Sequence, residues 1–203
     1  MAYGSALVDS ITSSGNLSVS GNLTGITDIT GTANVITSQG VLRPLLSTTP
    51  VATTSGTTVN LATNLPSWVK RLTVVFASVG ITTTTVLPLI QLGYGLAPTF
   101  VTTGYNSTSD NFTSTPGPVT IATNGFVIGS AGATYWYLTY MICNIAGTNI
   151  WVGSTTGAYS DATTPTGVLL GGGTVTLTDT LTAVRLFISS SSFSSGSAYV
   201  LYE

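Results

Sequence analysis

From Thr57 to the end of the chain, no run of ten residues carries a helical period built from good helix formers. The chain instead offers short β-branched and aromatic runs cut at close intervals by turn residues. Leu72, Val74 and Phe76 alternate with Thr73, Val75 and Ala77, and similar runs cover 86–92, 119–121, 125–128, 135–145, 149–152, 174–178, 183–189 and 198–202. Pro98, Thr115-Pro116-Gly117-Pro118, Asn124-Gly125, Gly147-Thr148-Asn149, Pro165-Thr166-Gly167 and Gly171-Gly172-Gly173 punctuate them. This spacing predicts an all-β body over residues 47–203, an antiparallel β-sandwich or jelly roll of about eight strands. Gly171-Gly172-Gly173 is expected to be a hairpin or bulge, because no Lys follows it and no helix begins there.

Several strands are apolar or hydroxyl-bearing on both faces, Tyr135-Trp136-Tyr137-Leu138 among them. One face can pack a sandwich core, so the other is expected to meet a neighbouring subunit. The most apolar window, Thr134 to Gly153, contains Asn144, Gly147 and Asn149 and has no flanking basic residues. It reads as strand, turn and strand, and no membrane partner is expected. The opening Met1-Ala2-Tyr3-Gly4-Ser5 has no basic segment and no long apolar run after it, so no secretory signal is expected.

Charge is scarce. Only 5% of the 203 residues are charged, whereas Thr and Ser number 39 and 24. Four cations are too few to neutralise a run of phosphates, which argues against nucleic acid as a partner. The absence of histidine removes the usual general base, the Ser-His-Asp relay and the commonest metal ligand. The single cysteine, Cys143, has no partner for an intrachain disulfide or a thiolate zinc site, and it reads as a small core hydrophobe. The carboxylates Asp9, Asp28, Asp110, Asp161, Asp179 and Glu203 stand more than fifteen positions apart, so no acid/base pair is visible along the chain. No catalytic residue, cofactor or metal is expected. Asp179 lies six residues before Arg185 across the start of a strand, and the two are expected to form a structural ion pair. Lys70 and Arg71 are adjacent on a strand and so point to opposite faces.

The first 46 residues have a different texture. Ser14-Gly15-Asn16-Leu17-Ser18-Val19 is followed directly by Ser20-Gly21-Asn22-Leu23-Thr24-Gly25, a six-residue step in which Gly-Asn-Leu recurs. Units with one apolar anchor each cannot close a core and must stack, and two copies are fewer than the three or so that a self-sufficient solenoid needs. Residues 1–46 are therefore expected to form an extended arm or short shaft, ordered by partner chains through Leu17, Val19, Leu23, Ile26 and Ile29. In the body, the segment from Gly104 to Pro118 is the best surface-loop candidate, with Tyr105, Asn106, Asp110 and Phe112 as its candidate contacts. Four Asn-x-Ser/Thr sequons, at Asn16, Asn22, Asn106 and Asn111, are no more than this Ser and Thr content produces by chance.

The leader from Ser14 to Thr24 is similar to the Gly-Asn-Leu repeats at the base of tailed-bacteriophage fibres. The body resembles small phage virion proteins of the tail-fibre, head-fibre and capsid-decoration group. The resemblance is carried by 68–76, by Gln91-Leu92-Gly93, by 103–108 and by Asn124-Gly125-Phe126. It continues in the strand around Trp151, in 177–185 and in the ending 193–203. It departs at 189–195, where serine takes the place of an acidic turn. What it implies is a non-enzymatic virion component, a homotrimer that decorates or cements the capsid or forms a short head fibre. Its arm would hold the major capsid protein or adjacent virion proteins. The alternative it leaves open is a tail-fibre tip that recognises a host-surface glycan.

Overall fold

A computed structural model describes residues 35–37, 40–42, 45–83, 85–112, 119–129, 135–160 and 167–203. The chain divides into two units, Met1–Leu42 and Arg43–Glu203. In the first, β1 (Val35–Thr37) pairs antiparallel with β2 (Gly40–Leu42), Val35 opposite Leu42.

The second unit is all-β, with no helix among its described residues and every strand pairing antiparallel. Its larger sheet contains β3 (Leu46–Ser47), β4 (Val51–Ala52), β6 (Arg71–Ile81), β9 (Asn106–Phe112), β10 (Thr120–Ala122), β12 (Tyr135–Asn144), β13 (Ile150–Ser160), β14 (Gly167–Thr176) and β16 (Phe193–Tyr202). They run in the order β10-β9-β14-β13-β12-β6-β16-β3, with β4 also on β16. The smaller sheet is β11 (Phe126–Val127), β7 (Leu89–Tyr94), β15 (Leu181–Phe187) and β5 (Thr58–Ala62) in that order, with β8 (Thr99–Phe100) on β7.

Period-two patterning decides which faces are covered. On β6, Leu72, Val74 and Phe76 are buried, and on β12 so are Trp136, Leu138, Tyr140 and Ile142. They share one apolar core with Ile90 and Leu92 of β7 and Val184 and Leu186 of β15, so the two sheets pack in a sandwich-like arrangement. Phe126 joins them edge-on to Tyr105 at 5.2 Å between ring centroids and tilted against Tyr140 at 5.5 Å. The window 135–153 forms β12, a turn and β13, as its composition predicts. Gly147 sits at φ 77° in that turn, and the Asn144 side-chain amide donates to the Thr148 carbonyl at 2.9 Å.

Two expectations need correction. The body holds a nine-stranded and a five-stranded sheet rather than about eight strands, because β3, β4, β8 and β11 are only two residues long and too short to leave a periodic trace. Gly171-Gly172-Gly173 is neither hairpin nor bulge but the middle of β14, paired on one side with β13 and on the other with β9. A Cβ on Gly172 would lie 2.8 Å from the Gly153 carbonyl oxygen, and one on Gly171 would lie 2.9 Å from the Thr108 carbonyl oxygen. The glycines are there because neighbouring backbones approach too closely for any side chain.

Candidate assembly face and the Arg185 cluster

The residues that alternate with the core positions of the larger sheet form its outward face. Register aligns them into rows that cross the strands. One row is Leu201, Thr73, Met141, Ser154, Gly172, Thr108 and Ile121. The next is Tyr199, Val75, Thr139, Thr156, Leu170 and Asp110, and Ala158, Val168 and Phe112 lie beyond it. Asp110 is the one charged side chain in these rows. The face remains rich in exposed apolar side chains, with Ile121 at 72%, Val168 at 56%, Leu170 at 50% and Phe112 at 44% exposed. Val168 pairs directly with Phe112, and Leu170 is two positions along the same face, so these exposed groups are contiguous rather than scattered. Among the described residues, β10 pairs only with β9 and ends the sheet. Apart from the Asp110 carboxylate, the described residues of this face offer apolar groups to bury and hydroxyls to exchange hydrogen bonds.

A second charged feature of this sheet lies at the start of β6. Arg71 forms an ion pair with Glu203, and the Glu203 backbone amide donates to the Arg71 carbonyl at 3.0 Å. The pair is partly exposed and screened, so it contributes little to stability.

The outward face of the smaller sheet is organised differently. Arg185 on β15 lies opposite Gln91 on β7 and opposite Asn60 on β5. Its Nε donates to Gln91 Oε1 at 2.8 Å, while Gln91 Nε2 donates to the Asn124 carbonyl at 2.6 Å. The Phe100 ring lies 4.2 Å from the guanidinium carbon and the Phe187 ring 5.6 Å from it. Burial lowers the Arg185 pKa from the ordinary arginine value, the phenol of Tyr105 partly offsetting this, and the group stays charged at any physiological pH. The ion pair expected between Asp179 and Arg185 is not made. Asp179 is exposed and its Oδ1 accepts the Thr180 amide at 2.6 Å in its own turn. Strand pairing brings Gln91 to Arg185 across 94 positions, and a side chain six positions away in sequence points elsewhere.

The expected loop at 104–118 is also corrected, because Asn106–Phe112 is β9. Tyr105 is buried, not an exposed contact, and its hydroxyl accepts the Leu92 amide at 2.8 Å. Burial pushes its phenol well above the ordinary value of 10.0, against the opposing pull of the Leu92 amide and the Arg185 charge. Tyr140 is raised likewise by burial, with Ser107 opposing. Asn106 and Phe112 are exposed, and half-buried Asp110 has an enclosed Oδ1 without a hydrogen-bond partner among the described residues. Cys143 is half-buried at the outward end of β12 rather than in the core.

The inward residues of β9 are Ser107, Ser109 and Asn111, all buried. Ser107 Oγ accepts the Val127 amide at 2.9 Å and Ser109 Oγ accepts the Gly129 amide at 3.0 Å. Each hydroxyl also donates back to β14, at the Gly172 and Leu170 carbonyls, 3.2 Å in both cases. These serines tie the larger sheet to β11 and the residues after it in the smaller one. Alternating Ser-x-Ser-x-Asn is the sequence signal for this strand, and an apolar-only reading of periodicity passes over it.

The arm positions Leu17, Val19, Leu23, Ile26 and Ile29 lie outside the described residues. Among the described residues, no three His, Cys, Asp or Glu side chains gather to hold a metal ion, and no helix is long and apolar enough to cross a membrane. No protein-family model, curated protein or solved structure matches this chain.

Proposed function

We propose that this chain is a non-enzymatic structural protein of a virion surface, a capsid decoration (cement) protein or short head fibre. In this reading the body is a jelly-roll-like module that assembles as a homotrimer. Residues 1–46 attach it to the major capsid protein or to adjacent virion proteins. The observation that carries the reading is the outward face of the larger sheet, where contiguous Phe112, Val168 and Leu170 stand exposed beside a single carboxylate, Asp110, among otherwise neutral side chains. Apolar surface of this kind is stabilised by being covered. The one charge on the face is Asp110, opposite Leu170, so a covering surface that places a hydrogen-bond donor there leaves no ion unpaired. A chain with 5% charged residues also lacks the surface charge that keeps a monomer soluble, a shortage that assembly relieves. Clamping neighbouring shell subunits would then stabilise the particle by mass action, with no chemistry required.

Particles with and without the protein, compared for heat resistance and for adsorption to host cells, test the reading. Loss of heat resistance with adsorption intact is the expected result. Intact heat resistance with lost adsorption overturns it in favour of a glycan-recognising tail-fibre tip.

A further inference from the structure

Of the cations among the described residues, Arg71 already has a carboxylate partner and Lys70 is an exposed residue leading into β6. Arg185 has neither arrangement. Its side chain is half-buried, its Nε is committed to Gln91, and no carboxylate among the described residues pairs with it. Gln91 is itself 1% exposed and held through its amide nitrogen by the Asn124 carbonyl, so the group that orients the arginine is fixed. The Phe100 ring packs against Gly93, where a Cβ would come within 3.0 Å of Phe100 Cδ1, and from there it reaches the guanidinium carbon at 4.2 Å. A lone arginine on a sheet does not require a buried glutamine, a backbone carbonyl and an aromatic ring to hold it. These contacts fix a planar fork while leaving its two terminal nitrogens without a hydrogen-bond partner among the described residues.

We propose that the outward face of the smaller sheet, centred on Arg185, binds the carboxylate of an acidic saccharide of the uronate type. A planar monoanion matches one guanidinium, since two parallel N–H donors meet two carboxylate oxygens and the charges cancel. A phosphate dianion or a polyanion would call for a second cation, and the strands flanking Arg185 supply none: Asn60 and Thr58 on β5 are exposed and neutral, and Gln91 is the facing residue on β7. Exposed Asn60 beside Arg185 and exposed Thr58 opposite Phe187 offer the neutral hydrogen-bonding groups that sugar hydroxyls require. The half-buried Phe100 and Phe187 rings provide the apolar flank. This site lies on the opposite sheet from the assembly face, and the inference does not depend on the virion reading.

The test is titration of the full chain, followed by NMR or calorimetry, with glucuronate, methyl glucoside, acetate, inorganic phosphate and a capped peptide carrying one glutamate. Saturable binding of glucuronate, stronger than acetate and absent for the neutral glucoside, is the expected result. Arg185→Lys should weaken it about tenfold or more, the loss expected when a charge-assisted bidentate contact is removed. Gln91→Leu should weaken it by a smaller factor, because the guanidinium remains but is no longer oriented. Should Arg185→Lys fail to fold, Gln91→Leu and Phe100→Leu carry the same comparison. Equal binding by the variants and the parent chain overturns the proposal, as does the absence of saturable glucuronate binding. Tighter binding of phosphate, or of the glutamyl peptide, also overturns the saccharide assignment.

Discussion

The two outward faces of the body use the same scarce charge in opposite ways. On the larger sheet Val168, Leu170 and Phe112 stand exposed among threonines, and no side chain in that patch is locked by a charged contact. On the smaller sheet a single charge is held by Gln91, Phe100 and, through Gln91, the Asn124 carbonyl. The first face can bury area against a complementary, largely uncharged surface that also meets Asp110. The second can distinguish one group by geometry. Breadth of contact and direction of contact have been separated onto different sheets, and the difference shows that low charge in this chain is a matter of placement as much as of number.

The comparison can be broken most severely at Gly172. A valine there would force its Cβ toward the Gly153 carbonyl 2.8 Å away and separate β14 from β13, so Gly172→Val should cost about 3 kcal/mol or more in denaturant unfolding. A loss within a few tenths of a kcal/mol would mean that the larger sheet tolerates side chains at its centre and that its outward face is not set by close backbone approach.

Next in size is the paired change Val168→Lys and Leu170→Lys. Both positions are half exposed, so the isolated body should keep its melting temperature within a few degrees. Self-association measured by light scattering should weaken about a hundredfold, since two ammonium groups would be buried in the contact and only the one at 170 faces a carboxylate, Asp110. Unchanged association would move the assembly contact off this face.

Ser109→Ala tests the tie between the sheets. It strips the acceptor from the buried Gly129 amide and should cost about 1–3 kcal/mol while leaving the outward rows in place. A neutral result would make the hydroxyl dispensable and the apolar core sufficient to join the sheets.

The smallest effect should come from pH changes around neutrality. With no histidine to titrate, unfolding free energy should be nearly flat around neutrality. Burial raises the phenols of Tyr105 and Tyr140 above their ordinary 10.0, so the native state keeps protons that the unfolded chain releases. That contribution is complete below pH 10.0 and is lost as pH rises past it, by about 1.4 kcal/mol per pH unit for each retained proton. Tyr140→Phe should flatten the alkaline slope by one proton's worth; an unaltered slope would show that Tyr140 ionises as readily folded as unfolded.

Much of the fold was legible in particular residues. Leu72, Val74 and Phe76, and then Trp136, Leu138, Tyr140 and Ile142, announce half-buried strands through a period of two, and Gly147-Thr148-Asn149 announces the turn after β12. The uncharged second faces were legible too, as Tyr137, Thr139 and Met141 alternate with those core positions. What escaped the sequence was set by partners far along the chain. Polar Ser107, Ser109 and Asn111 look like a surface loop until the amides of Val127 and Gly129 are seen to need the two serine hydroxyls. Gly171-Gly172-Gly173 looks like a turn until strands are present on both sides of it.

By itself, then, the sequence determined the class of structure and the poverty of charge. Both are local properties, since β-branched alternation selects strands and composition decides which ions exist at all. Only the tertiary structure decided where the few charges go and what they face. Arg185 meets Gln91 rather than Asp179 because strand pairing joins residues 94 positions apart, and a side chain's partners are fixed by the sheet it belongs to rather than by its neighbours along the chain.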